Sequence, residues 1–281
     1  MASTFQVLFD GTPADEGFYT TYASLEVEEN ADLPGAFQLQ FPVSRTADGD
    51  LTGVADDRFK PLANMAVVAT QEGKADECIF DGPVLSHKLH LERGATNGML
   101  TVWGQDASWL MNLEEKVREW VDMADSAVAA AIFGDYGISP ADDNSVDDSA
   151  SHPESGHTLM QRASDIQFLR MLARRNGKLC RVACKDKPGQ RTGYFAKPAL
   201  SGEAVLTLKP NDPEVWNVEA LDFEWDVMRP TKVTGRQALF TDPAEDGVGG
   251  DTTDTDLPLL DARSLAAFAG KPMSVLLTAP V

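Results

Sequence analysis

Three residue types in this chain could do chemistry: four histidines, three cysteines and a large excess of carboxylates. In a strand, His87 and His90 point to opposite sides, which is poor ligand geometry. His152 and His157 fall in a polar stretch that reads as a loop. Cys180 and Cys184 lie in Leu179-Cys180-Arg181-Val182-Ala183-Cys184, which alternates like a strand. Both then face one side as small buried, reduced side chains. A zinc site would need two further ligands at workable spacing. Asp222, Glu224 and Asp226 share one face of a predicted strand, which could hold a cation but better suits a solvated sheet face. There is no nucleophile elbow, phosphate loop or GxGxxG. The residues therefore predict no catalytic residue, no metal site and no cofactor.

Charge narrows the partners. The chain has 281 residues, with 24 Lys and Arg against 44 Asp and Glu, a net charge of −20. Such a chain repels phosphate backbones and anionic lipid, which argues against nucleic-acid binding. The charge is uneven. Arg162 to Lys197 carries ten bases against Asp165 and Asp186, a charge of +8, so the remainder carries −28. A basic stretch in an acidic protein predicts docking on an acidic neighbour, with Arg170, Arg174, Arg175, Lys178 and Arg181 as candidate interface residues. No run of about 18 apolar residues exists, so no membrane insertion is expected. The N-terminal Met-Ala-Ser-Thr-Phe-Gln-Val lacks a basic n-region and an apolar h-region, and cysteines are few. These predict synthesis in the cytoplasm without a cleaved leader.

The elements that would position these groups begin with strands. Phe5–Phe9 ends at an Asp10-Gly11 turn, and Ser24–Glu29, Phe37–Phe41, Met65–Thr70, Cys78–Phe80 and Val84–Leu91 follow. Asn97-Gly98 reads as a hairpin turn before Met99–Trp103. Many short strands predict a barrel or sandwich. Asp106 can cap a short helix through Leu113, and Glu114–Val121 suits either helix or strand. Asp125 or Ser126 can cap a helix that Gly134 ends after Phe133, and Ser164-Asp165 opens another that Asn176-Gly177 closes. Strands return at Leu179–Cys184, Gly193–Ala196, Ala204–Leu208, Val218–Trp225 and Lys232–Phe240. Ser264 can begin a helix and Met273–Thr278 a strand. Ser44–Pro61, Pro140–His157 and Thr241–Asp256 read as exposed acidic loops.

The segment from Arg162 to Leu179 carries a pattern of its own: Ser164-Asp165, Phe168-Leu169, Leu172-Ala173 and Asn176-Gly177. It resembles the signature of the phage late control protein D and VgrG-like hub family. Upstream, Phe80–Leu89 followed by Leu100–Met111 resembles that family's strand–strand–Gly-x-Asp–helix region, and Ser126–Ile138 resembles the helix before its signature. Val218–Thr234 resembles the strand that opens its second barrel. In the signature, Ser164 would accept from free backbone N–H groups, and Asp165 suits the positive helix end. Phe168, Leu169 and Leu172 would anchor the helix on a sheet, while Gly177 would take the left-handed stop.

The resemblance implies a mainly β chain with inserted helices (α+β), holding two tube-like β-barrels flanked by a small helix-containing subdomain. The implied domains are 1–104, a first barrel; 105–213, an inserted helix/strand subdomain; and 214–281, a second barrel that could be incomplete. The implied role is the structural hub of a contractile injection machine's baseplate, a trimeric symmetry adaptor in a phage-tail-like particle. Its partners would be two further copies of itself, the inner tube protein, the spike protein and baseplate wedge components. The chain shows no counterpart of the long C-terminal spike part of VgrG proteins. Two other readings stay open: a tail-associated hydrolase acting on cell wall, and a stand-alone β-rich binding module.

Overall fold

The computed structural model describes residues 3–92, 98–141, 151–154 and 158–198. Beyond these it describes 203, 206–210, 215, 217–222, 224, 226, 228, 231–235, 248–251, 263 and 265–276. The chain divides into two compact units, Met1–Pro198 and Ala199–Val281.

The first unit opens with β1 (Ser3–Phe9), β2 (Thr12–Pro13), α1 (Glu16–Thr21), β3 (Ser24–Glu28) and β4 (Ala36–Val43). It continues with β5 (Asn64–Gln71), β6 (Glu77–His90) and β7 (Gly98–Gln105). These strands form one seven-stranded sheet in the order β2-β1-β5-β6-β7-β4-β3. The Asp10-Gly11 turn joins β1 to β2 with φ of 47° and 80°, the left-handed pair that a tight hairpin requires. Phe37, Leu39 and Phe41 alternate inward from β4. They meet Val7, Phe9, Met65, Val67, Phe80, Leu100 and Val102, with Phe18 of α1 and Phe59 closing the core.

Two predicted strands, Cys78–Phe80 and Val84–Leu91, are in fact the single strand β6, running through Asp81-Gly82-Pro83. Its first half pairs with β5 and its second half with β7, so β6 changes partners at Pro83/Val84. The sheet therefore folds over a corner, where backbones approach too closely for side chains. A Cβ on Gly82 would stand 2.1 Å from the Gln105 carbonyl oxygen, and one on Gly104 would stand 2.2 Å from that of Pro83. No closed barrel is formed among the described residues. Gly98 is not a turn residue; it pairs with Val43 as the first residue of β7, and Asn97 lies outside the described residues.

The rest of the first unit holds a second core. A 3-10 turn, Ala107–Asn112, is capped by Asp106 as predicted, and β8 (Glu115–Trp120) and β9 (Met123–Ala124) follow. Next come α2 (Asp125–Asp135), β10 (Ser139–Pro140), β11 (Ser151–His152) and β12 (Leu159–Ser164). The unit ends with α3 (Asp165–Arg175), β13 (Leu179–Cys184) and β14 (Arg191–Ala196). The ambiguous stretch is strand β8, because Glu115–Trp120 finds an antiparallel partner in β12. Ala124, not Asp125 or Ser126, caps α2, and Gly134 lies inside the helix. The left-handed stop falls at Gly137, with φ 65°. Trp120, Val128, Ile132, Phe133, Phe168, Leu169, Leu172 and Phe195 make this core.

The second unit contains β15 (Lys232–Gly235), β16 (Val248–Asp251), α4 (Leu265–Ala269) and β17 (Ser274–Leu276). β15 pairs antiparallel with β16 and parallel with β17. The helix near Ser264 and the strand within Met273–Thr278 are both present, the strand shorter than predicted. Strand β16 interrupts the expected loop Thr241–Asp256. The strand predicted at Lys232–Phe240 is β15, and residues 236–240 lie outside the described residues. The described residues of the predicted strands Ala204–Leu208 and Val218–Trp225 are not strand. Alternating apolar residues alone do not make a strand there, and among the described residues none of these positions pairs in a ladder.

Candidate functional site

The side chains singled out in the sequence gather around α3. Ser164 precedes the helix in an extended conformation, yet its hydroxyl makes no cap hydrogen bond. It donates instead to Asn112 Oδ1 at 2.7 Å, tying the helix start to the 3-10 turn. Asp165 is buried and accepts from Lys116 Nζ, from the Tyr136 hydroxyl at 2.6 Å and from Gln161 Nε2 at 2.6 Å. Burial pushes its carboxyl pKa up, but the hydrogen bonds from Lys116, Tyr136 and Gln161 outweigh burial and leave it lowered. Gln161 in turn accepts from the Trp120 indole at 3.2 Å. Phe168, Leu169 and Leu172 are buried in the second core, and Gly177 takes φ 63° at the helix stop.

His152 is not in a solvated loop: it is 2% exposed in β11. Its Nε2 stands 2.8 Å from Asp125 Oδ1 and 2.8 Å from Arg175 Nη2. Asp125, fully buried, also accepts from Arg175 at 2.9 Å and from Asn176 Nδ2 at 2.6 Å. The cluster joins the start of α2 to the end of α3, and a buried carboxylate needs such partners. His87 and His90 are exposed on β6, and His157 lies outside the described residues. Asp222, Glu224 and Asp226 share no strand, so the cation geometry is not formed. Among the described residues no three His, Cys, Asp or Glu side chains cluster as metal ligands.

The basic residues divide. Arg175 serves Asp125, and Lys178 is buried, donating to the Ser126 hydroxyl at 3.1 Å. Arg174 reaches Asp32 at 3.0 Å while 67% exposed. Arg181 lies over the Tyr194 ring and 4.0 Å from Glu29. Arg170 has buried Nε and Nη2 atoms without hydrogen-bond partners.

Two more carboxylates tie the sheet to the second core: Asp106, expected from the sequence only as a helix cap, and Asp81, which the sequence did not single out. Asp106 accepts from the backbone N–H groups of Ser108 and Gly35, and burial raises its pKa. Asp81, on β6, accepts from Asn64 Nδ2 at 2.6 Å and from the Gly189 N–H at 2.8 Å. The only sequence signal for Asp81 is an acid inside an apolar strand.

These buried contacts hold the elements of the first unit in place. The fold is one found in phage tail proteins. The 43 kDa tail protein of prophage MuSo2 from Shewanella oneidensis matches at 15% identity and TM-score 0.60, over 98% of this chain and 72% of that one. A tail protein from Neisseria meningitidis MC58 matches at 15% identity and TM-score 0.57, over 100% of this chain and 73% of that one. A chain of the Francisella PdpA–VgrG complex matches at 13% identity and TM-score 0.51, over 98% of this chain but 40% of that one. The chain belongs to the Alg8 N-terminal domain family, whose model matches residues 2–211. Comparison with curated proteins finds no match. Among the described residues no helix is long and apolar enough to cross a membrane.

Proposed function

We propose that this chain is the structural hub of a contractile injection particle's baseplate, of the late control protein D and VgrG-like kind. In this reading it is not an enzyme. It is a homotrimer that adapts the hexameric inner tube to the trimeric spike, made in the cytoplasm and built into the particle. The observation that carries the proposal is the fold likeness to tail proteins over essentially the whole chain. Residues 1–104 and 214–281 are proposed to contribute tube-like barrels, and residues 105–213 the inserted subdomain. Three chains with two similar surfaces each would match a sixfold tube. A basic face including Arg170, Arg174, Arg175 and Arg181 is proposed to meet an acidic surface of a neighbouring chain; Lys178, expected with them, is buried and takes no part. The direct test is a reconstruction of the purified particle at the tube–spike junction. Three copies of this chain there are expected; six copies, or none, would overturn the proposal.

A further inference from the structure

One feature of the first unit serves neither core. Cys78 on β6 and Cys184 at the end of β13 come together from positions 106 residues apart in the chain. The Cys184 thiol donates to the Cys78 carbonyl oxygen at 2.6 Å, and the Cys78 thiol donates to the Phe80 carbonyl at 3.3 Å. The approach is anchored nearby: the Gly189 N–H of the β13–β14 turn bonds Asp81, three residues after Cys78 on β6. Arg191, the cross-strand partner of Cys184, lies 3.7 Å from the same carboxylate. All three cysteines are free thiols, with Cys78 buried and Cys184 half-buried.

We infer that Cys78 and Cys184 are an oxidisable thiol pair that closes to a disulfide under peroxide, locking the seven-stranded sheet to the β13–β14 hairpin. The chemistry of the pair is matched to the step. A hydrogen bond from Cys184 lowers the Cys78 pKa, while that same bond and burial raise the Cys184 pKa. Cys78 is therefore the more readily deprotonated of the two, and the thiolate is the nucleophilic form. Its sulfur attacks one peroxide oxygen, the O–O bond breaks, and Cys78 becomes a sulfenic acid as hydroxide leaves. The Cys184 sulfur then attacks the Cys78 sulfur, and the S–O bond breaks. Two thiols lose two electrons and two hydrogens in all, and the peroxide is reduced to two waters. Cys180 takes no part: burial pushes its thiol up to about 12, and its side chain lies within the second core.

Trypsin separates the three cysteines, into peptides 75–88, 179–181 and 182–185. After treatment of the full chain with hydrogen peroxide and alkylation, peptide 75–88 should be joined to 182–185 with loss of two hydrogens, and dithiothreitol should release them. The oxidised chain should melt higher by about 5 °C, because the cross-link closes a long loop. In Cys184→Ser, Cys78 should stop at the sulfenic acid and be trapped by dimedone. Full alkylation of both residues after peroxide, a link involving Cys180, or a link without a rise in Tm would overturn the inference. The wild-type peptide map decides even if the variant fails to fold, and it does so whether or not the chain is a hub.

Discussion

Asp165 and Asp106 are both buried carboxylates near the same 3-10 turn, yet their surroundings act in opposite directions. Asp165 has its pKa held below the ordinary value of 3.8 by Lys116, Tyr136 and Gln161. Its contribution to stability is complete above the unfolded pKa and is lost as pH falls through the folded one. Asp106 has its pKa raised by burial, so its protonated form suits the fold better. That preference is present below the unfolded pKa and disappears as pH rises through the folded one. Asp165→Asn should cost about 3 kcal/mol at neutral pH, because it breaks a buried ion pair. It should also flatten the loss of stability below about pH 4. Urea titrations of both proteins between pH 3 and 7 check this; parallel pH curves would refute the role given to Asp165.

At the scale of elements, three glycines divide by what surrounds them. A Cβ on Gly82 meets backbone at 2.1 Å, and one on Gly104 meets both Pro83 and the Phe37 ring. Gly82→Ala and Gly104→Ala should each destabilise the first unit by about 3 kcal/mol, since the β6 corner cannot open without unpairing a strand. Gly134 has nothing within 4 Å of its Cβ position and sits inside α2. Gly134→Ala should therefore be stabilising by about 0.5–1 kcal/mol. Thermal melts of the three variants decide the matter: a destabilising Gly134→Ala would mean that the helix ends where its sequence first indicates.

For the whole molecule, the proposed assembly can be probed without damaging the fold if the basic residue is chosen by its partners. Arg175→Glu would set a second carboxylate beside the fully buried Asp125 and should destabilise the chain by about 3 kcal/mol. Arg174 is mostly exposed, and its contact with Asp32 contributes little to stability. Arg174→Glu should leave the monomer's Tm within a degree or so and reduce its incorporation into particles, with the larger loss at low salt, where the charges are least screened. Unchanged incorporation at both low and high salt would remove Arg174 from the proposed interface.

Much of the fold was legible because it follows from local pattern. The alternation of Phe37, Leu39 and Phe41, the Asp10-Gly11 turn, the Asp106 cap and the spacing from Ile166 to Leu172 each specify an element through a few neighbouring residues. The segment that resembles the hub-family signature belongs with them, since its positions are the apolar face and stop of one helix. The tertiary structure decided everything that depends on a partner far along the chain. It made β6 one strand by giving its halves different neighbours, and it made Glu115–Trp120 a strand by supplying β12. It took Ser164 away from its cap to Asn112, and it buried His152 against Asp125 and Arg175. It also brought Cys78 to Cys184 across 106 residues. The physical reason is the same in each case: a polar or sulfur atom is satisfied by whichever partner the packed chain delivers, and sequence spacing does not encode that partner.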